Sequence, residues 1–226
     1  MRSAVRGALA GLVLLALLGA VAARAGWIET AVPRPQGTGA WMFSRVTGLL
    51  AYLALGLEVF AGLLVSTRSG DRWLPRGQLV DLHGWLSPLA LALVLAHGAV
   101  LLADRHVRFD VIDVLVPFAS SRWPFAIGLG VVGAYLLLVV HLSFGLRKRI
   151  GTATWRRLHY LSFVAFVLVT IHALAVGTDR ANPWFAAVYL VMLVAVASLV
   201  ARRLWTRRER RRPPVAGSTS NARSAL

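Results

Sequence analysis

The chain has 226 residues, 58% of them hydrophobic, and a mean hydropathy of +0.67, whereas a soluble domain is about 45–50% apolar; a membrane protein is the class this implies. Its 25 Lys and Arg against 9 Asp and Glu give a formal charge of +16, but these charges lie between apolar runs, which argues against nucleic acid as a partner. With no cysteine, disulfides, iron–sulfur clusters, zinc–thiolate sites and thioether-linked c-type heme are excluded, so any metal or heme must rest on His, carboxylate or Met.

About 20 apolar residues are needed to cross a hydrocarbon layer of roughly 30 Å. Six stretches meet or approach this: about Gly7 to Ala23, Val46 to Thr67, Leu82 to Ala103, Trp123 to Leu146, Leu158 to Thr178, and Pro183 to Ala201. Pro124 and Pro183 fall in the first turn of their helices, where a missing N–H costs nothing. The first stretch follows Arg2 and Arg6 and ends near Ala23-Arg24-Ala25, a cleavage-like tripeptide; it reads as a retained signal anchor, with cleavage as the alternative. The expected fold is an all-α integral membrane bundle of six transmembrane helices over 1–201, followed by a basic, disordered cytoplasmic tail over 202–226 that meets anionic lipid headgroups.

The basic residues set the orientation. Placing both termini in the cytoplasm puts Arg2 and Arg6, then Arg68, Arg72 and Arg76, then Arg147, Lys148, Arg149, Arg156 and Arg157, and the tail arginines on the inside, 18 of the 25. The positive-inside rule then predicts a multi-pass cell-membrane protein with N- and C-termini cytoplasmic.

His83 and His97 lie 14 residues apart in the third stretch, His159 and His172 lie 13 apart in the fifth, and both stretches run from inside to outside. The four therefore form two pairs at two matched depths, about 20 Å apart at 1.5 Å per residue. Low-spin heme iron takes two axial imidazoles, and a helix bundle supplies them from facing helices. Angular phase agrees only in part: at about 100° per residue, a spacing of 14 falls about 40° short of a whole turn, but 13 falls about 140° short. The fifth helix therefore needs a π-bulge, a tilt or different ring approaches to its two sites. Buried, hydrogen-bonded histidines are the alternative, although polar groups inside a bilayer are usually functional.

Four stretches resemble the ferric reductase-like transmembrane family, which includes the membrane part of NADPH oxidases, ferric reductases and the heme-binding subunit of a periplasmic methionine sulfoxide reductase. They are Ser44-Arg45-Val46-Thr47-Gly48, Asp81-Leu82-His83-Gly84-Trp85 through His97-Gly98, Val116-Pro117-Phe118-Ala119-Ser120-Ser121, and Trp155-Arg156-Arg157-Leu158-His159-Tyr160 through His172, within about 41–179. The resemblance implies two noncovalent b-type hemes between the third and fifth helices, ligated by His83 with His159 at the inner level and by His97 with His172 at the outer. It also implies that Arg45 could pair with a propionate of the outer heme, with a simple interfacial anchor as the alternative reading. Larger members of that family continue into flavin and nicotinamide domains where this chain has its basic tail, so a separate cytosolic flavoprotein or membrane quinol is the expected donor. An extracytoplasmic acceptor (ferric iron, a partner reductase or oxygen) would receive the electron.

Other polar residues read more plainly. Gly128, Gly130 and Gly133 spell a dinucleotide-like Gly pattern but lie within an apolar helix, so they read as small-residue packing. Glu58 reads as a neutral, hydrogen-bonded carboxyl, with proton handling as the functional alternative. His141 reads as interfacial packing. Asp104, His106, Asp110 and Asp113 read as a solvated cap rather than a ferric-iron site. The functional alternative from another class is a heme-free scaffold, or a proton or metal-ion transporter that uses the same histidines.

Overall fold

The computed structural model describes residues 39–71, 74–104, 108–177 and 183–211, with side chains as far as Thr206. All regular structure among them is helical: α1 (Gly39–Thr67), α2 (Arg76–Ala103), α3 (Val111–Leu115), α4 (Pro124–Gly145), α5 (Arg147–Ile150), α6 (Thr152–His159), α7 (Leu161–Val176) and α8 (Pro183–Arg211). Five spans are long and apolar enough to cross a membrane, namely α1, α2, α4, α6 with α7, and α8. The first expected span, Gly7 to Ala23, and the question of its cleavage lie outside the described residues.

α1 is the hub. Its apolar window is 56% buried inside the protein, against 11% for α2 and 17% for each of the last two spans. Tyr52, Leu55, Val59 and Leu63 of α1 form the core with Ala90, Leu137, Ala165, Phe166, Tyr189, Met192 and Val196. Between membrane helices apolar burial from water is not available as a driving force, so close packing through small residues replaces it. Accordingly a Cβ on Gly56 would lie 2.7 Å from the Met192 side chain, and one on Gly133 would lie 2.7 Å from Val169 Cγ2. α2 packs along α1, and α7 packs along α4, whereas α2 and α7 share no extensive contact with each other. The two histidine-bearing helices thus face one another across a gap framed by α1 and α4.

Several helices begin earlier than their hydropathy. α1 starts at Gly39, α2 at Arg76 and the fifth span at Thr152, because helix propensity does not require apolar side chains and Arg, Gln and Trp extend the backbone ladder into the interface. The last helix likewise runs through Arg211 rather than stopping at Ala201. The expected disordered tail is thus helical over its first ten residues, and 212–226 lie outside the described residues.

The fifth span is broken. α6 ends at His159, Tyr160 interrupts it, and α7 resumes at Leu161. Around the break the Tyr160 N–H is shared between Arg156 O at 3.3 Å and Arg157 O at 3.2 Å, Phe163 N–H reaches back only three residues to Tyr160 O, and Ser162 Oγ donates to His159 O at 2.8 Å. Three-residue bonds tighten the turn. This local overwinding advances the later residues by about 20° per residue, a small part of the phase deficit between His159 and His172; the rest is met by the two rings being held differently, His172 by a carbonyl and His159 by stacking on Trp155.

Gly133→Leu should force α4 away from the β-branched Val169, an overpacking cost of about 1–3 kcal/mol. The check is thermal unfolding of the detergent-solubilised protein, with Gly133→Ala expected to shift it less.

Candidate cofactor site

Three of the four paired histidines are held by one repeated device. His97 Nδ1 donates to Ser44 O at 2.9 Å, His83 Nδ1 to Glu58 O at 2.9 Å, and His172 Nδ1 to Ala126 O at 2.8 Å. Four residues after each carbonyl stands a glycine on which the same ring rests: a Cβ on Gly48 would come 3.0 Å from the His97 ring, on Gly62 3.1 Å from His83, and on Gly130 2.7 Å from His172. A helical carbonyl already accepts from the N–H four residues on, yet it keeps a second lone pair. A glycine at that position leaves room for an imidazole to reach it, most tightly at Gly130.

The device has a chemical consequence. A carbonyl can only accept, so Nδ1 carries the proton, and Nε2 is left as an unprotonated donor atom. This is how metal-binding histidines are usually oriented.

His97 and His172 line one cavity of about 510 Å³, between α1, α2, α4, α7 and α8, within the 300–1,000 Å³ usual for small-molecule and cofactor sites. Its lining is mostly apolar and aromatic, including Tyr52, Leu55, Leu137 and Tyr189, and also carries Arg45, Asp113 and Arg122. Arg45 thus lines the same cavity as His97 and His172. Arg122 was missed, because in sequence it is one loop charge among several; its position directly before Trp123-Pro124, the start of α4, is the available signal.

At the opposite end, His83 and His159 stand with ring centroids 5.9 Å apart and planes at 88°. A metal bonded at about 2.0–2.1 Å to a nitrogen of each imidazole would hold the centroids roughly 6 Å apart. This is the basic end of the bundle, where the C-terminal part of α8 returns and Arg203 donates to Tyr160 Oη at 3.3 Å while its guanidinium lies 5.5 Å from the tyrosine ring. Among the described residues no three His, Asp or Glu side chains gather at one point. The histidines come in twos, the number an axial heme pair requires, so the donor set, with a cavity at the His97–His172 pair, fits that group better than a bare ion with four protein ligands.

The remaining polar residues join in a separate set. Ser87 links the Glu58 side chain of α1 to His141 Nδ1 of α4, the latter at 3.2 Å. Glu58, only 6% exposed, is thus hydrogen-bonded within the bundle, as is His141. Asp113 Oδ2 accepts from the Asp110 N–H at 2.9 Å to cap α3, and Tyr135 Oη donates to Leu115 O at 2.5 Å, fastening this short helix to α4. His106 lies outside the described residues. The dinucleotide-like glycines are packing residues, with Gly128 against Phe118, Gly130 against His172 and Gly133 against Val169.

The expected membership of the ferric reductase-like family is not upheld, since the family model that matches this chain is a different one. The stretches that carried the resemblance answer local demands: Ser44 and Gly48 make room for His97, and Arg156 and Arg157 sit at a basic interface. Any helix pair that holds imidazoles in a bilayer meets the same demands. Neither the curated proteins nor the solved structures yield a match. Residues 40–179 match the family described as Domain of unknown function (DUF8596), and to that family the chain belongs.

Proposed function

We propose that this protein is a membrane-embedded diheme b-type cytochrome that passes electrons between the two faces of the bilayer. The observation that supports this most is the repeated anchoring of His83, His97 and His172 through Nδ1, which leaves Nε2 of each as a ligand atom. In this reading His83 with His159 hold the inner heme and His97 with His172 the outer, with Arg45 and Arg122 of the cavity lining as partners for propionates. Bound there, heme supplies reversible one-electron exchange. The chain itself supplies the axial nitrogens, three of them in a fixed tautomer, largely apolar walls around the His97–His172 cavity, and two depths about 20 Å apart by the rise per residue.

The basic end faces the cytoplasm in this proposal, by the charge distribution. There a cytosolic flavoprotein or membrane quinol donates, and ferric iron, a partner reductase or oxygen accepts on the far side. The hydrogen-bonded set Glu58, Ser87 and His141 favours a second reading, a heme-free scaffold or a proton or metal-ion transporter.

Purified protein should contain close to two hemes per chain, removable with acid acetone since no cysteine tethers them, and should show a b-type difference spectrum on adding dithionite. A colourless product from heme-replete cells rules the proposal out in favour of the second reading. Reporter fusions after Leu226 and near Arg108 should give opposite localisation signals, and an extracytoplasmic signal from the C-terminal fusion would reverse both orientation and electron direction. His172→Ala should lower heme toward one per chain while leaving the inner site reducible from the cytoplasmic side, whereas His159→Ala should block entry from that side. Side-specific reduction in sealed, oriented vesicles tests this, and identical, normal behaviour of both variants would sink the ligand assignment.

A further inference from the structure

His159 is held unlike the other three histidines. Among the described residues its ring has no hydrogen bond; instead it lies on Trp155, with centroids 5.3 Å apart and planes at 25°. Trp155 in turn meets Phe144 edge-on at 6.2 Å, and the Arg147 guanidinium carbon stands 5.4 Å from the Trp155 ring and 5.7 Å from that of Phe144. The column Arg147, Trp155, His159 ends on the edge of His83. Within it the Trp155 indole N–H is buried and has no acceptor among the described residues, and a buried donor left unpaired is costly enough to call for a partner.

We infer that Trp155 is the positioning residue of the His83–His159 site, fixing the His159 imidazole by its face and offering its indole N–H to a carboxylate of the group bound there, with Arg147 as countercharge. The inference rests on the heme reading above and assigns what that reading leaves open, namely how the fourth ligand is oriented and what receives the buried N–H. An imidazole that donates to a carbonyl becomes a more basic ligand; one held by stacking does not. A cation over the stack adds to this, because the oxidised iron carries one more positive charge than the reduced. Both effects raise the midpoint potential of this heme above what a carbonyl-anchored ligand without a nearby cation would set.

The experiment is a redox titration with optical and low-temperature EPR detection on the full chain, comparing wild type with Trp155→Phe, Trp155→Leu and Arg147→Gln. Axial imidazole planes near 88° give a strongly anisotropic low-spin signal. Trp155→Leu should remove that signal, either by letting the ring rotate or by emptying the site toward one heme per chain. Trp155→Phe keeps the stack and should retain the signal, but it loses the N–H and should lower the midpoint potential of that heme alone. Arg147→Gln should lower it too, with Arg147→Lys restoring most of the shift. If Trp155→Leu does not fold, the Phe and Gln variants still decide. Wild-type potentials in Trp155→Phe would assign the N–H to a lipid headgroup and overturn the donation, and shifts confined to the His97–His172 heme would overturn the assignment of the site. Wild-type protein without heme would instead defeat the functional reading, and this inference with it.

Discussion

An imidazole placed among hydrocarbon tails has two nitrogens to satisfy, and the bundle meets half of that demand with its own backbone. Ser44, Glu58 and Ala126 each lend a helical carbonyl that is already bonded once, and Gly48, Gly62 and Gly130 remove the Cβ that would block the approach. The rest of the architecture follows from that contact. It requires α1 to run against α2 over both depths and α4 to run against α7, and it keeps the Nε2 atoms away from the supporting helices. Rings pinned in this way lose little freedom when a ligand arrives, which is the physical meaning of a prepared site.

The two ends of the gap are built differently. At one end a cavity with apolar walls is closed over by α3, which is fastened through Tyr135 and Leu115, and arginines join its lining. At the other, two imidazoles stand with their planes nearly perpendicular beside a column of aromatic rings and guanidinium. Electrostatics follows the same division, since Arg147 and Arg203 fold back over Trp155 and Tyr160, where an aromatic face offsets part of the desolvation of a cation at the membrane interface.

The hydrogen-bonded set of Glu58, Ser87 and His141 shows why polar residues in a span invite over-reading. Glu58 carried a functional alternative by its intramembrane position alone, and in the structure it joins Ser87 and His141 in one hydrogen-bonded set across α1, α2 and α4. The carbonyl of Glu58, by contrast, serves His83. One residue thus contributes its backbone to the candidate site and its side chain to packing, a division that no sequence pattern encodes.

From the sequence alone came the apolar spans, five of which lie among the described residues, and the expectation that His83 would stand near His159 and His97 near His172, whose ring centroids lie 5.9 Å apart in the first pair and whose side chains line one cavity in the second. Each of these depends on counting along a chain of fixed rise per residue, and counting survives folding. The tertiary structure decided what depends on angle and approach. It put a break at Tyr160 in the fifth span and held its two imidazoles in different ways, and it brought Arg122 and Arg45 to the lining of one cavity. It also carried the last helix on to Arg211, since a basic stretch that cannot build a core can still prolong a helix already nucleated in the membrane. The glycines opposite three imidazoles were visible as letters, four residues past the carbonyls they expose. Their purpose was not, because it exists only once a neighbouring helix has come close enough to use the missing Cβ.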